Sequence, residues 1–267
     1  MKLKLCDAKS LDIVKTFECG QCFRWNSDDR GVYTGVVGRY LAEVETIDGE
    51  VYITSDAPAE MWADYFDLAT DYAAVSTDFT GEYLHECIDY GMGIRILRQD
   101  SWEALCSFII SQCNNITRIK GIVERLCEQF GDKCEANGVS YYTFPSAERL
   151  AALEPSDLAG IRSGYRAEYI IAAARAVTQG ELDLDALKTC DYREAIKTLR
   201  QIRGVGEKVA NCVVLFGLYH MEAFPIDVWM KRALKEHFPA DFDPTSLGAY
   251  AGLAQQYIFY YARSGGK

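Results

Sequence analysis

Leu199–Leu218 reads LRQIRGVGEKVANCVVLFGL, and its centre decides the fold. A helix-prone run ends near Gln201. Gly204-Val205-Gly206 does not continue it, because two glycines weaken helix and permit positive φ. A second helix is expected from about Glu207. Its first turn offers unpaired N–H groups and the positive end of the helix dipole, together an anion site. Taken alone, Gly-x-Gly is an ordinary tight turn between helices. With a phosphate partner, it grips a polynucleotide backbone without needing a basic surface. Lys208 falls in the first turn of the new helix, where a cation opposes the dipole. Asp227, in FPIDVWMKRAL (Phe224–Leu234), follows Pro225 and precedes an apolar-periodic run, which is the position of a helix N-cap.

Around this hairpin the chain divides into two styles. Residues 32–54 hold three β-prone runs, and Asp48-Gly49 between two of them is a strong hairpin signal. An antiparallel meander is expected there. From about residue 57 the pattern turns helical. DSWEALCSFIISQCNNITRIKGIVERLCEQFG (Asp100–Gly131) has apolar residues at 3–4 spacing, a break at Asn114-Asn115 and a stop at Gly131. The fold class is α+β. Residues 1–95 form a sheet-containing N-terminal part and 96–267 a helical body, with the helix-hairpin-helix at about 193–218. The C-terminal helix is expected to pack back toward the N-terminal part.

The 267 residues are 49% hydrophobic and 25% charged, enough for a full core without staples. No eighteen-residue apolar run is present, so no membrane span is expected. The opening MKLKLCDAKSLD has no secretory apolar region. With no basic tail or targeting segment read, the expectation is a compact, prokaryotic-type cytoplasmic protein. A net charge of −11 argues against nucleic acid. The charge is uneven, however. Residues 1–100 carry nine Lys/Arg against nineteen Asp/Glu, whereas residues 160–235 carry twelve against nine.

Of ten cysteines only Cys19 and Cys22 stand two apart, and His85, His220 and His237 are scattered. No four-ligand zinc set results. Reduced, packed thiols are the plain reading; a redox pair at Cys19-x-x-Cys22 stays open.

The pattern I-x-G-V-G-x-K-x-A, followed by FPIDVWMKRAL, resembles the helix-hairpin-helix DNA glycosylase superfamily. GQCFRW (Gly20–Trp25) resembles a segment of its 8-oxoguanine DNA glycosylases, the Ogg family. So do AYAGLAQQYIFYYAR (Ala249–Arg263), SFIISQCNNITRIKGIVERLCEQFG (Ser107–Gly131) and GYRAEY (Gly164–Tyr169). Together they span roughly residues 10 to 262. The resemblance implies that Lys208 is the nucleophile and Asp227 the second catalytic residue. It implies that the Gly20 carbonyl accepts from N7–H of 8-oxoguanine, where guanine has a bare acceptor. Two facing acceptors stay unpaired, which is costly when buried. Gln255 would read the Watson–Crick edge, with Phe259 stacking on the flipped base, Cys212 on its other face and Phe216 nearby. Lys208 four residues before Cys212 would favour the thiolate. Cys113, Arg118, Tyr165 and Arg166 match the residues that fill the gap and read the opposite cytosine. Asn114, Gly204, Val205, Gly206, Lys208, Val209 and Trp229 match DNA-backbone contacts.

The chemistry suits such residues. An N-glycosidic bond breaks with positive charge developing on the sugar, which a carboxylate stabilises. A neutral amine can attack C1′ and form a Schiff base. β-Elimination at the abasic site is expected to follow. The partner implied is duplex DNA containing 8-oxoguanine, bound by a monomer. No organic cofactor and no iron–sulfur cluster is implied. A structural Na, K or Ca ion at the carbonyls of Arg200, Ile202 and Val205 is. Two positions depart from the eukaryotic family pattern: Cys113 replaces an Asn and Trp229 replaces a His.

Three other readings compete. An endonuclease III-like pyrimidine glycosylase shares the Lys and Asp, but usually has a four-cysteine cluster after them, and no Cys follows Cys212. An alkylbase glycosylase lacks the lysine. A non-catalytic helix-hairpin-helix module would need neither Lys208 nor Asp227.

Overall fold

A computed structural model describes residues 1–136 and 138–265. The chain runs β1 (Lys2–Asp7), α1 (Ile13–Glu18), β2 (Trp25–Ser27), β3 (Tyr33–Val37), β4 (Tyr40–Ile47) and β5 (Glu50–Ser55). Helices α2 (Ala59–Tyr65), α3 (Tyr72–Ser76), α4 (Glu82–Gly91), α5 (Ser101–Ile110) and α6 (Ile116–Phe130) follow. A small hairpin, β6 (Lys133–Ala136) and β7 (Val139–Tyr142), precedes α7 (Ala147–Ala151) and a 3-10 turn, Pro155–Ile161. Then come α8 (Arg166–Thr178), α9 (Leu184–Leu187), α10 (Tyr192–Leu199), α11 (Glu207–Phe216) and α12 (Val228–His237). A second 3-10 stretch, Pro244–Tyr250, leads into α13 (Ala251–Ser264).

The expected meander is strands β3 to β5, with Asp48 (φ 51°) and Gly49 (φ 82°) in the left-handed turn between β4 and β5. That turn matches the twist of the flanking strands. The full sheet is antiparallel, in the order β1-β5-β4-β3-β2. Its outer strands β1 and β2 escape the sequence pattern. So does the β6–β7 hairpin.

Two cores form. Phe17, Trp25, Tyr33, Val44, Val51, Ile53, Trp62 and Phe66 pack between the sheet and α1–α2. Trp25 is pinned there by its Nε1 donating to Tyr65 Oη at 2.8 Å and by Phe17 stacked at 4.4 Å. The larger core takes α4–α6, α8, α11 and α13. Cys19 belongs to the larger core and Cys22 to the sheet core. The two thiols thus face different interiors, and burial pushes both up from the ordinary thiol range. This packing leaves the redox pair without a shared site.

Buried Arg95 joins the layers by donating to the carbonyls of Ser10, Phe66, Asp67 and Thr70. A buried cation needs such satisfaction, because leaving one unpaired costs about 3–5 kcal/mol. At the far end of the chain, α13 returns to the start: Gln256 Nε2 donates to Cys19 O at 2.9 Å, and Arg263 Nη2 to Glu18 O at 2.9 Å.

Candidate active site

The hairpin lies between α10 and α11. Gly204 sits at φ 87°, and a Cβ there would fall 2.2 Å from Tyr169 Cγ, so both backbone and packing demand glycine. Gly206 differs. Its φ of −89° suits any residue, and a Cβ would meet nothing within 4 Å. Nothing within the described protein requires glycine at 206; close approach of an outside surface would. Val205 and Val209 are buried, so only their backbone groups can face a partner.

Lys208 is half-buried at the start of α11. Its Nζ lies 3.5 Å from Ser111 Oγ and 5.5 Å from the Phe108 ring centre. Among the described residues no carboxylate forms a salt bridge with it. Asp227 caps α12: its Oδ1 accepts from Met230 N at 2.9 Å. Cys212 stands one turn after Lys208, buried in the core. The thiolate expectation fails here. Complete burial pushes the Cys212 thiol up from its ordinary range, outweighing the pull of Lys208. Cys212 is therefore a neutral apolar wall. Phe216, also buried, stacks on Phe108 at 5.4 Å behind it.

GQCFRW builds the opposite side. Gln21 is fully buried; its Oε1 accepts from Leu97 N, and its Nε2 donates to the carbonyls of Thr16 and Arg95. Phe23 packs on Phe108, and Arg24 reaches Glu103 and the Tyr142 carbonyl. These residues fix one loop. In it Cys19 O accepts from Gln256 and Gln21 O from Gln99, while no hydrogen bond reaches Gly20 O among the described residues. Gly20 has φ 82°, and the space a Cβ would occupy lies 3.7 Å from Phe259, 3.7 Å from Arg263 and 3.5 Å from Ile116. Gln255, buried one turn before Phe259, leaves Oε1 without a partner. Sequence reasoning missed Arg263. Its place four residues after Phe259 and eight after Gln255 is the signal that puts all three on one helix face.

The gap-filling candidates cluster at two adjoining turns. Cys113 is exposed at φ 47°; Tyr165, about half exposed, follows Arg162 and Gly164, both at φ 61°. The two arginines are unlike. Arg118 is exposed. Arg166 is buried and donates to the carbonyls of Gln112 and Ser163, tying one turn to the other. Asn114 donates to Ile110 O, closing α5. Trp229 is in the wall of a cavity of about 470 Å³, where Glu82, Glu86 and Glu236 stand with Arg232 and His237.

No helix is long and apolar enough to cross a membrane among the described residues. Nor do they contain three clustered His, Cys, Asp or Glu that could hold a metal. The carbonyls of Arg200 and Val205 accept no backbone hydrogen bond outside the helices, and Ile202 O accepts one, from Val205 N at 3.0 Å.

Known proteins align with both parts. Residues 4–105 match the 8-oxoguanine DNA glycosylase N-terminal domain. Residues 106–252 match the HhH-GPD superfamily base excision DNA repair protein. A structure of MBOgg1 with a low affinity DNA ligand has a TM-score of 0.91 and 38% identity, over 100% of this chain and 96% of that one. A Clostridium acetobutylicum 8-oxoguanine glycosylase/lyase, bound to DNA with cytosine opposite 8-oxoG, gives 0.90 and 34%, over 100% and 99%. A probable N-glycosylase/DNA lyase of Methanothermobacter thermautotrophicus is 30% identical, over 75% of this chain and 73% of its own length. The chain belongs to the HhH-GPD superfamily of base excision DNA repair proteins, in the branch that carries the 8-oxoguanine DNA glycosylase N-terminal domain.

Proposed function

We propose that this protein turns 8-oxoguanine out of duplex DNA and cuts its N-glycosidic bond through Lys208. The observation that carries the reading is the amine of Lys208, free of any ion pair among the described residues and set 3.5 Å from Ser111 Oγ at the start of α11, with buried Cys212 one turn on. With no carboxylate engaging it, Nζ is left to attack a bound sugar. The lone pair of Lys208 Nζ attacks C1′, and the electron pair of the base–sugar bond leaves with the base. Asp227 stabilises the positive charge that grows on the sugar. The C1′–O4′ bond of the resulting N,O-acetal then breaks, its electron pair going to O4′, which takes up a proton as the amine loses one; the ring-opened sugar is held as a Schiff base, from which β-elimination opens the strand.

Gly20 O and Gln255 Oε1 support the choice of base. Each is an acceptor that the fold leaves unsatisfied, and 8-oxoguanine brings N7–H to one and N1–H or N2–H to the other. Guanine, with a bare N7, would leave Gly20 O facing an acceptor. Cys212 and Phe259 offer apolar faces for the ring. Tyr165 and Cys113 would fill the space the base leaves, which offsets part of the few kcal/mol, roughly, that extrusion costs. Arg118 would read the opposite base and Arg166 would shape the turn that presents Cys113. The hairpin would grip backbone phosphate at Gly204–Val209 through helix N–H groups. The carbonyls of Arg200, Ile202 and Val205 fit a Na, K or Ca ion, which would brace that turn. The scheme uses no organic cofactor or iron–sulfur cluster. A monomer in the cytoplasm, working on chromosomal DNA, completes the reading.

Incubation with an 8-oxoguanine:cytosine duplex and borohydride should trap a covalent protein–DNA product. Lys208→Gln should abolish both trapping and base release while leaving DNA binding in place. Release of 3-methyladenine or an oxidised pyrimidine, with none of 8-oxoguanine, would sink the reading.

A further inference from the structure

Arg263 is the residue for which the scheme above gives no task. It lies in the last turn of α13, and Nη2 is engaged with Glu18 O at 2.9 Å. Nη1 is buried and has no hydrogen-bond partner among the described residues. A buried donor of this kind is costly while it stays unpaired. The guanidinium lies 5.8 Å from the centre of the Phe259 ring, and Nη1 is 3.7 Å from the point above Gly20 where a Cβ would sit. The unmatched donor therefore stands beside Gly20, the residue whose carbonyl accepts no hydrogen bond among the described residues.

We propose that Arg263 is a specificity-determining residue whose Nη1–H donates to the C8 carbonyl oxygen of the lesion. The inference rests on the reading of this protein as an 8-oxoguanine glycosylase. Three groups near the proposed reading site are without partners among the described residues: two acceptors, Gly20 O and Gln255 Oε1, and one donor, Arg263 Nη1. The lesion offers the reverse set. N7–H goes to Gly20, and N1–H or N2–H goes to Gln255. Of its two carbonyl oxygens, O6 borders the Watson–Crick edge and is within the province of the Gln255 amide, whose own Nε2 is a donor. O8 lies on the other flank of N7–H and is left for Arg263. Oxidation of guanine converts an acceptor at N7 to a donor and adds an acceptor at C8. Gly20 and Arg263 together read both changes, and the second is read by a charged donor, the stronger kind.

Single-turnover excision on duplexes carrying 8-oxoguanine or 8-thioguanine opposite cytosine tests this, beside β-elimination at a preformed abasic site. Sulfur keeps N7–H but is the weaker acceptor, so wild type should excise the oxygen base faster. Arg263→Met should slow 8-oxoguanine excision about 10- to 100-fold, bring the two bases to nearly equal rates, and spare abasic-site cleavage. Arg263→Lys, which keeps a charged donor, should recover part of the oxygen preference. Equal losses on all three substrates would mark Arg263 as a mere tether of Glu18 and overturn the proposal. An unchanged oxygen-to-sulfur ratio in Arg263→Met, with wild type active, would overturn it alone. Failure of wild type to excise 8-oxoguanine would remove the underlying reading as well.

Discussion

The proposed cutting side and the proposed reading side of the site are built on opposite plans. Lys208, Cys212 and Asp227 come from one short span, and two of them also serve the fold: Asp227 caps α12 and Cys212 fills the core. Gly20, Gln255, Phe259 and Arg263 come from the two ends of the chain. Three of them hold polar groups that the described fold leaves unmatched. Cutting groups can thus be part of the structure, since their chemistry works on any sugar presented to them. Reading groups must remain unmatched, because a group already satisfied cannot tell one base from another.

That contrast can be broken in order of effect. Asp227→Asn should lower excision by about 10²–10³-fold, the scale of one lost electrostatic partner. Asn is as good an N-cap, so thermal stability should hold, whereas Asp227→Ala should lose about 1 kcal/mol in a denaturant titration as well. If Asp227→Asn kept full activity, the carboxylate would be a cap and nothing more. Gly20→Ala should slow 8-oxoguanine excision about 10- to 100-fold, because φ 82° is strained for alanine and the carbonyl must shift. Cleavage of a preformed abasic site should survive, and Cys19→Ser and Cys22→Ser should cost less excision than Gly20→Ala. The reverse ranking would return the Cys-x-x-Cys pair to the chemistry. The hairpin glycines give the smallest split. Gly204→Ala should destabilise by about 1–3 kcal/mol, through positive φ and the Tyr169 ring. Gly206→Ala should leave stability within about 0.5 kcal/mol and weaken DNA binding several-fold, visible in a salt-dependent titration.

The same contrast explains what the sequence disclosed. The meander, the break before Asn115, the second hairpin helix and the Asp227 cap were all legible, because each depends on neighbours a few residues away. Strands β1 and β2 were not. One is three residues long and the other pairs with a strand some fifty positions on, at Lys2 with Thr54. The hairpin at β6–β7 was overlooked although Gly138 marks its turn at φ 76°. At the site, Lys208 and Asp227 stood out by position on their helices. Gly20 did not, since its use depends on which carbonyls its neighbours satisfy. Cys212 was misjudged because spacing reveals the nearby lysine but not the burial that opposes it. Arg263 was passed over because a basic residue in a last helical turn has an ordinary explanation in the dipole.

The bond from Gln256 to Cys19 O closes a loop of 237 residues. Such a contact repays its loop-closure entropy only once the chain between has ordered. The two halves of the proposed reading side therefore meet only in a molecule whose intervening helices are already in place, which makes base selection a property of the whole fold rather than of any segment of it.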